Sequence, residues 1–294
     1  MRREVFARTL GTVRTLGTIA ALTVATGQNR RQFQVQLFDA DGHEERIQCR
    51  RLIVADGVRS QLGRVLGRQW HRDTVFGVAA RAYVASARHD DPWITSHLEL
   101  RDEAQQLLSG YGWIFPLGDG HVNIGVGTLA TQRRPADVKL REVLNLYVAQ
   151  QRDEWQINEH IRMYASAMLP MGGAVSNVSG TNWMLIGDAA ACVNPLNGEG
   201  IDYAYETARM AAQVLHEALV SNDPAVLQQY PRLLDAEFGD YFKVARLFAR
   251  VIGRPVLMRE LTRVGMHSRT LMEWVLRIMA NLLRPDEIGP AEAA

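Results

Sequence analysis

The stretch that decides the fold class lies between Leu185 and Ile201 and reads LIGDAAACVNPLNGEGI. The apolar run Trp183–Ile186 at its start is predicted to form a short buried strand. That strand delivers one carboxylate, Asp188, into a turn rich in glycine and alanine. A Gly-Glu-Gly group then opens a long helix, whose apolar positions keep the i, i+3, i+4 period as far as Leu219. Backbone N–H groups at such a helix start lack acceptors within the helix, so the junction suits an anionic ligand.

A second strand, turn and helix are predicted between Leu52 and Ser60, where the sequence reads LIVADGVRS. The apolar run ends at Val54, Asp56 and Gly57 supply a tight turn, and Ser60 is placed to cap the helix that follows. Taken alone, this pattern fits a binding turn and an ordinary structural junction equally well.

The clearest hairpin signal is YGWIFPLGDGHVNIGVG, which begins at Tyr111 and has Gly-Asp-Gly at its turn. Alternation along the first strand places Tyr111, Trp113 and Phe115 on one face. The residues that share a face on the returning strand are Asn123, Gly125 and Gly127, and the two glycines leave room beside the aromatic rings. The pattern fits an apolar ligand slot. It equally fits aromatic side chains that fill the core between a sheet and a helix.

The other patterns complete a mixed α/β protein, with strands in the middle of the chain and helices on both sides. The predicted strands cover residues 33–38, 46–54, 74–86 and 96–100, and helices are predicted over 137–150 and from Pro224 to about Leu283. The segment from Gly11 to Asn29 has no clear period and is assigned to neither class.

Composition excludes several function classes. The chain has 294 residues, of which 47% are hydrophobic and 22% charged, as in an ordinary globular protein with one large or two medium domains. Its net charge of +1 argues against broad binding of nucleic acid. Cys49 and Cys192 form no CxxC pair and lack the His and Cys neighbours of a metal site, so no metal is expected. A reducing, cytoplasmic compartment follows from this cysteine usage.

The Asp56-Gly57 and Gly187-Asp188 motifs, in this order, resemble the flavoprotein superfamily of aromatic hydroxylases, flavin-dependent halogenases and geranylgeranyl reductases. The resemblance implies FAD as cofactor, with Asp188 hydrogen-bonded to the ribityl chain. It also places the start of the long helix at the N1/O2 edge of the flavin, where a positive helix end stabilises the charge of the reduced ring. The FAD-binding residues that the resemblance implies are Asp56, Gly57, Gly187, Asp188, Pro195, Gly198, Glu199, Gly200 and Ile201.

The opening segment Arg2–Leu10 is similar to the family's arginine-bearing helix behind the flavin, which would add Arg3 to the cofactor site. A solvated charged helix fits this short segment nearly as well.

The aromatic hairpin resembles the geranylgeranyl reductase family, whose YxWxFP segment lines the prenyl tunnel. The resemblance implies that Tyr111, Trp113 and Phe115 contact a prenyl lipid or quinone substrate. It further implies reduction of an isoprenoid C=C bond by hydride from FAD, which NAD(P)H or another donor reduces. The resemblance allows a geranylgeranyl diphosphate, an archaeal-type lipid or the polyprenyl tail of a quinone. A menaquinone-type tail is favoured, because the sequence shows no Arg/Lys cluster near the hairpin that would suit a diphosphate. No catalytic proton donor is identified.

Two other functions stay open. Halogenases carry a related Trp-rich strand, so a flavin-dependent aromatic hydroxylase or halogenase is one alternative. The other is a non-catalytic truncated remnant. No GxGxxG turn precedes the opening segment or occurs elsewhere between a strand and a helix, although relatives begin with this element. A truncated chain or a misassigned start, with weak or no FAD binding, is therefore expected.

The expected architecture has three parts. An incomplete, Rossmann-like FAD-binding half covers residues 1–66 with 175–222, an antiparallel-sheet substrate domain covers 70–172, and a helical arm covers 223–294. Basic and apolar residues interleave between Asp240 and Arg284. This pattern predicts peripheral contact with the inner face of the cell membrane. Helices that close a substrate domain, with arginine stems along apolar surface, fit the same pattern.

Overall fold

The computed structural model of the chain describes residues 6–9, 12–15, 18–27, 30–38, 43–71, 73–131, 136, 138–158, 161–252, 263, 267–270, 273 and 277. The chain divides into two compact units. The first unit contains Met1–Gln69, Val175–Cys192 and Ile201–Ala236, and the second contains Trp70–Ala174, Val193–Gly200 and Glu237–Ala294. The functional domain boundaries expected from the sequence stay a prediction.

The strands of the described residues are β1 (Phe6–Thr9), β2 (Thr12–Thr15), β3 (Thr18–Gly27), β4 (Arg30–Phe38), β5 (Glu44–Cys49), β6 (Leu52–Val54), β7 (Gln69–Trp70), β8 (Phe76–Ala85), β9 (Thr95–His97), β10 (Gly110–Pro116), β11 (His121–Ala130), β12 (Arg162–Pro170), β13 (Val175–Ser176) and β14 (Trp183–Leu185). The α-helices are α1 (Gln61–Val65), α2 (Leu140–Gln151), α3 (Ile201–Val220), α4 (Tyr230–Leu234) and α5 (Asp240–Ile252). Short 3₁₀ segments cover Gly187–Ala190 and Pro224–Gln229, and a π-helical turn covers Asp235–Gly239. The mixed α/β class, with an antiparallel sheet and helices towards the C-terminus, is confirmed.

In the first unit, the strands that lead into the two candidate motifs are neighbours. β6 and β14 run parallel, with Val54 paired to Leu185. Parallel strands end at the same edge of a sheet, so the turns that carry Asp56 and Asp188 leave this edge side by side. Buried residues of β14, α3 and the helical turns after it form the core beneath, namely Met184, Ala211, Val214, Ala218, Val226, Leu227 and Tyr230.

A three-stranded antiparallel sheet, β3-β4-β5, also belongs to the first unit. The predicted pairing of the strand at 33–38 with the next strand is confirmed, because Phe38 pairs with Glu44 and Phe33 with Cys49. The single strand predicted over 46–54 is wrong, since β5 and β6 belong to different sheets and Arg50 and Arg51 separate them. Two consecutive arginines leave a charge on each face of a strand, which interrupts a half-buried sheet.

The start of the chain corrects a resemblance. The helix expected over Arg2–Leu10 is contradicted where the structure describes this segment, because β1 pairs with β2 in an antiparallel hairpin. β-branched residues such as Thr9 and Val13 favour strands over helices, and the same preference explains β3 in the unassigned threonine-rich segment. Arg3 lies outside the described residues, so its predicted flavin contact is not tested.

The second unit is built on a five-stranded antiparallel sheet of order β12-β8-β11-β10-β9. The predicted hairpin is confirmed as β10 and β11, and its turn uses two glycines with positive φ, Gly118 and Gly120. One face of the sheet, the covered face, packs against α2. The core between this face and α2 includes the sheet residues Ala80, Ala82, Ile114, Val122, Ile124 and Val126, the helix residues Leu144 and Tyr147, and Trp155 after the helix.

Two strands of this sheet differ from the prediction. β12 was not predicted, because RMYASAMLP has neither β-branched residues nor strict alternation and is ordered by pairing with β8. The strand predicted at 96–100 is shorter and covers Thr95–His97 at the sheet edge.

The predicted helices after Pro224 are present as far as Ile252. One face of α5 is buried through Tyr241, Phe242 and Ala245, while Val244 and Leu247 are exposed. Most of the predicted arm beyond Ile252 lies outside the described residues. Among the described helices, none is long and apolar enough to cross a membrane.

Candidate functional site

In the turn after β6, the Asp56 carboxylate has one oxygen with a hydrogen-bond partner among the described residues and one without. Asp56 Oδ2 accepts a hydrogen bond of 2.9 Å from the Leu62 amide, and the Ser60 hydroxyl caps α1 by accepting from the Gly63 amide. Asp56 Oδ1 is buried and has no hydrogen-bond partner in the described part of the chain. Gly57 has a φ of 74°, and no atom lies within 4 Å of the position that a Cβ would take. This turn therefore offers a buried acceptor and room for close approach of a ligand.

The turn after β14 presents Asp188 on a tightly held backbone. The Gly187 amide donates a 3.0 Å hydrogen bond to the Thr207 hydroxyl, which ties the turn to α3. Ala191 ends this turn with a φ of 57° in the left-handed region, where a Cβ is disfavoured.

The Asp188 carboxylate forms no hydrogen bond in the part of the chain that the structure describes. Burial raises the pKa of Asp188, and the nearby Arg68 guanidinium opposes this effect. The adjacent Cys192 thiol is fully buried, and burial followed by the charge of Asp188 raises its pKa to about 12. Cys192 therefore stays protonated and behaves as a small buried side chain.

The sequence did not single out Arg68, which connects the two turns electrostatically. The residue is 6% exposed, and its Nε donates a 2.6 Å hydrogen bond to the carbonyl of Ala189. Nη2 lies 3.4 Å from the carbonyl oxygen of Asp188. Burial lowers the pKa of Arg68, while the charges of Asp56 and Asp188 raise it. No local motif marks this arginine, because its role depends on contacts with a turn 120 residues later in the chain.

The predicted cofactor loop before α3 belongs to the second unit and is internally ordered. The Asn194 amide donates to the carbonyl of Glu199 at 2.7 Å, and the Gly198 amide donates to the carbonyl of Asn194 at 2.9 Å. Gly198 has a φ of 75°, and a Cβ there would lie 3.1 Å from Met171 and 3.2 Å from Leu169. Glycine at this position is therefore required both by the backbone and by packing.

A contact with α5 holds the same loop. Asn194 Nδ2 donates a 2.7 Å hydrogen bond to the Tyr241 hydroxyl, and both side chains are buried. The sequence predicted the loop as a cofactor site but not its contact with Tyr241. That residue lies in a helix that was predicted only as part of an arm. The amides of Gly200 and Ile201 have no acceptor within α3, as at any helix start.

The three hairpin aromatics do not fill the helix-covered core. Ile114 is fully buried on the covered face, and the Tyr147 ring lies over Gly112 there. Tyr111, Trp113 and Phe115 alternate with these residues and are half-buried on the opposite face. Their rings follow one another, with centroids 5.8 Å apart between Tyr111 and Trp113 and 6.2 Å between Trp113 and Phe115. We call this second side of the sheet the open face.

The two glycines of the returning strand differ in the space beside them, which is occupied at Gly125 and unfilled at Gly127. Gly125 pairs with Trp113, and a Cβ on Gly125 would overlap the indole ring. Trp113 Nε1 donates a 3.2 Å hydrogen bond to Asn123 Oδ1, which fixes the ring there. Gly127 pairs with Tyr111, and a Cβ on Gly127 would lie 3.5 Å from Trp113 and 3.8 Å from Ala79. The room predicted beside both glycines is therefore found beside Gly127.

Strand pairing adds residues from β8 that the sequence did not connect with the hairpin. Gly127 pairs with Ala79, Gly125 with Arg81 and Asn123 with Tyr83. Directly paired residues of an antiparallel sheet share a face, so these β8 residues lie on the open face. Arg81 provides a cation on the face where the sequence showed no basic cluster.

The open face and the cofactor loop meet within the second unit. The Tyr111 hydroxyl donates a 2.6 Å hydrogen bond to the carbonyl of Asn197. Burial, followed by the charge of Glu199, raises the pKa of Tyr111 to about 12. The structure thus brings one predicted substrate residue together with the loop that carries several predicted flavin residues.

Comparisons with known proteins identify the family of this chain. The sequence profile of a family described as FAD binding domain matches residues 18–233. A menaquinone reductase from Mycobacterium tuberculosis (strain CDC 1551 / Oshkosh) is 53% identical over 269 residues, which are 92% of this chain and 64% of that protein. Digeranylgeranylglycerophospholipid reductase 1 from Methanopyrus kandleri is 30% identical over 216 residues, which are 72% of this chain and 55% of that protein.

A solved structure shares the fold. The geranylgeranyl bacteriochlorophyll reductase-like protein from Thermoplasma acidophilum superimposes with a TM-score of 0.66 at 18% identity, covering 89% of this chain and 61% of that one. The chain thus spans less than two thirds of the length of each of these three proteins.

Proposed function

Because this chain belongs to the FAD binding domain family, we propose that it is an FAD-dependent oxidoreductase that reduces an isoprenoid C=C bond. The substrate that we propose is a quinone with a polyprenyl tail, of the menaquinone class. The names of the two sequence relatives, a menaquinone reductase and a digeranylgeranylglycerophospholipid reductase, support a prenylated lipid as substrate. The aromatic hydroxylase and halogenase alternatives have no such support from these relatives.

One observation carries this proposal: the row of Tyr111, Trp113 and Phe115 lies on the open face instead of the covered core. An isolated alkene is not activated, so its reduction requires that it be held in one position and shielded from water. Three large rings in sequence, with the unfilled position at Gly127, provide an apolar surface for an extended prenyl chain.

The residues of the first unit fit the flavin. We propose that Asp188, whose carboxylate forms no hydrogen bond in the described part of the chain, accepts one from the ribityl chain. The buried Oδ1 of Asp56 is a second acceptor for a hydroxyl group of the cofactor, and Gly57 leaves room for it. When bound and reduced by NAD(P)H or another donor, FAD supplies the hydride for the alkene. Arg68 holds the turn of Asp188 in place through the carbonyl of Ala189. A proton donor is not assigned.

The other proposed flavin contacts are supported by the sequence motif alone. They are Pro195, Gly198, Glu199, Gly200 and Ile201. We also propose a cytoplasmic location with peripheral contact to the inner face of the membrane. Transfer of a polyprenyl tail from a bilayer into water costs about 0.8 kcal/mol per CH₂ group. An enzyme in contact with the membrane can bind the tail without that transfer. Val244 and Leu247 on α5 are exposed apolar residues of the second unit that suit such a contact.

Two substitutions separate the flavin role from the prenyl role. Asp188→Ala is expected to weaken the binding of added FAD. Trp113→Ala is expected to leave FAD binding unchanged and to abolish alkene reduction. Titration with FAD, followed by flavin fluorescence, and mass analysis of the lipid measure the two effects.

The matched control is Trp93→Ala, because Trp93 is another tryptophan of the second unit and is 75% exposed. It should leave both flavin and alkene reduction unchanged. Loss of flavin from Trp113→Ala would mean that the aromatic row supports the cofactor and not the substrate.

A further inference from the structure

Arg81 lies in the middle of the open face. Its strand, β8, runs between β11 and β12, and Arg81 is paired with Gly125 on one side and Ala165 on the other. Gly125 is in turn paired with Trp113. These four positions form one row across the sheet on the side of the three aromatic rings. The neighbours of Arg81 along β8, Ala80 and Ala82, are buried on the covered face, which confirms the side that the arginine occupies.

The guanidinium group of Arg81 is only partly satisfied. Its Nη1 atom is buried and has no hydrogen-bond acceptor among the described residues. The guanidinium carbon lies 4.9 Å from the centroid of the Tyr83 ring, which holds the group by a cation–π contact. The residues directly paired with Arg81 are glycine and alanine, so neither of them supplies a carboxylate.

A buried guanidinium N–H that lacks an acceptor is costly, and protein structures rarely contain one without a reason. On a face lined with aromatic rings and small residues, a ligand oxygen is the missing acceptor. Tyr111 and Gly127 lie in the next row, two residues along the strands and so about 7 Å from the row of Arg81. A molecule with an apolar chain and an oxygen-bearing head therefore fits both rows at once.

We propose that Arg81 binds an oxygen atom of the substrate's head group and so fixes the prenyl chain on the open face. This inference rests on the proposed function, because it assumes that the prenyl chain occupies this face. The acceptor is a quinone carbonyl or a diphosphate oxygen, both of which suit a guanidinium donor. Of the two, the quinone carbonyl is the head-group oxygen of the proposed substrate, and one guanidinium suffices to bind it.

Binding measured without FAD tests the inference. The full chain is titrated with a short-tailed menaquinone, and binding is followed by quenching of tryptophan fluorescence. Geranylgeranyl diphosphate and squalene, a polyprene without a head group, are measured by displacement of the quinone. Arg81→Gln should weaken the quinone about 10- to 100-fold, as expected for the loss of a hydrogen bond from a charged donor, and should leave squalene unchanged.

Arg141→Gln is the matched control. The Arg141 guanidinium also lies over a tyrosine ring, 4.3 Å from the centroid of Tyr164, but Tyr164 packs against the core of the covered face. This variant should bind all three ligands as the wild type does. Arg81→Lys keeps the charge but not the planar fork, so a several-fold weakening of the quinone is expected. The lysine variant replaces Arg81→Gln if the latter does not fold.

Each remaining result has one meaning. Weakening of the diphosphate, with the quinone unchanged, supports head-group binding and selects the diphosphate as its source. Equal weakening of squalene and the quinone overturns the inference, because Arg81 would then shape the face without binding a head group. Unchanged binding of all three ligands also overturns it and leaves the proposed function intact. If wild-type protein binds neither squalene nor the quinone, the proposed function itself fails.

Discussion

The Tyr111 hydroxyl donates a 2.6 Å hydrogen bond to the main-chain carbonyl of Asn197. This bond joins the aromatic row of the open face to the loop between Asn194 and Gly200, which carries predicted flavin contacts. Tyr111 therefore has two roles, because its ring forms part of the open face and its hydroxyl holds the loop.

Tyr111→Phe separates these two roles, because it keeps the ring and removes the hydroxyl. We expect the free energy of unfolding to fall by about 1 kcal/mol, since a partly buried carbonyl loses its donor. Binding of squalene should be unchanged. Urea denaturation at neutral pH measures the loss, and an unchanged midpoint would show that the hydrogen bond does not stabilise the loop.

The difference in the free energy of unfolding between wild type and Tyr111→Phe should also change with pH in one direction. The pKa of Tyr111 rises from 10.0 to about 12 on folding. A group whose folded pKa is raised contributes its full stabilisation below the unfolded pKa, and loses it as pH rises through the folded value. The stability difference between wild type and Tyr111→Phe should therefore be constant below pH 10 and shrink between pH 10 and 12.

The two glycines of the returning strand should respond differently to alanine. Gly125→Ala places a methyl group against the Trp113 indole, and overpacking of this kind costs about 1–3 kcal/mol. Gly127→Ala meets ordinary contacts at 3.5 and 3.8 Å and should change stability little. It should nevertheless weaken squalene binding, because it fills the open position. Thermal unfolding and displacement titration measure the two effects, and equal destabilisation by both variants would contradict the geometry.

Asp188 is predicted to reduce stability in the absence of flavin. Burial raises its folded pKa above 3.8, so its stabilising contribution is complete below pH 3.8 and is lost as pH rises through the folded value. Asp188→Asn should therefore raise the free energy of unfolding at pH 7 and have no such effect near pH 3. The same variant should bind FAD more weakly. A loss of stability at pH 7 would show that the ionised carboxylate is favourably paired before flavin binds.

Membrane contact is expected through the exposed side of α5. Its other face is buried, so removal of the whole arm would disturb the second unit and point substitutions are the sharper test. Val244→Asp with Leu247→Asp should reduce co-sedimentation with anionic vesicles, while Val65→Asp, at another exposed apolar residue, should not. Wild-type binding should weaken with added salt. If the wild type stays in the supernatant at low salt, the membrane contact is wrong.

Local chemistry made several parts of the structure predictable. The Gly-Asp-Gly turn fixed the hairpin, Ser60 marked the start of α1, and the period after Gly200 marked α3. Each of these features depends on residues close together in the chain.

The parts that sequence reasoning missed depend on distant partners. Arg81 joins the open face only through the register of β8 against β11, and Arg68 reaches a turn that lies 121 residues away. β12 has no intrinsic strand preference and is ordered by its neighbour, whereas β1 shows that strand preference outweighed a short resemblance to a helix.

The most direct test of the central claim is the product formed from a prenylated quinone. The chain is incubated without oxygen with chemically reduced FAD and a menaquinone whose tail is unsaturated, and the recovered lipid is examined by mass spectrometry. We predict that the tail gains the two hydrogen atoms of one reduced C=C bond, and that Trp113→Ala abolishes this gain. A tail that stays unsaturated while the protein holds flavin, or a product that gains oxygen once air is admitted, would contradict reduction of an isoprenoid chain by this protein.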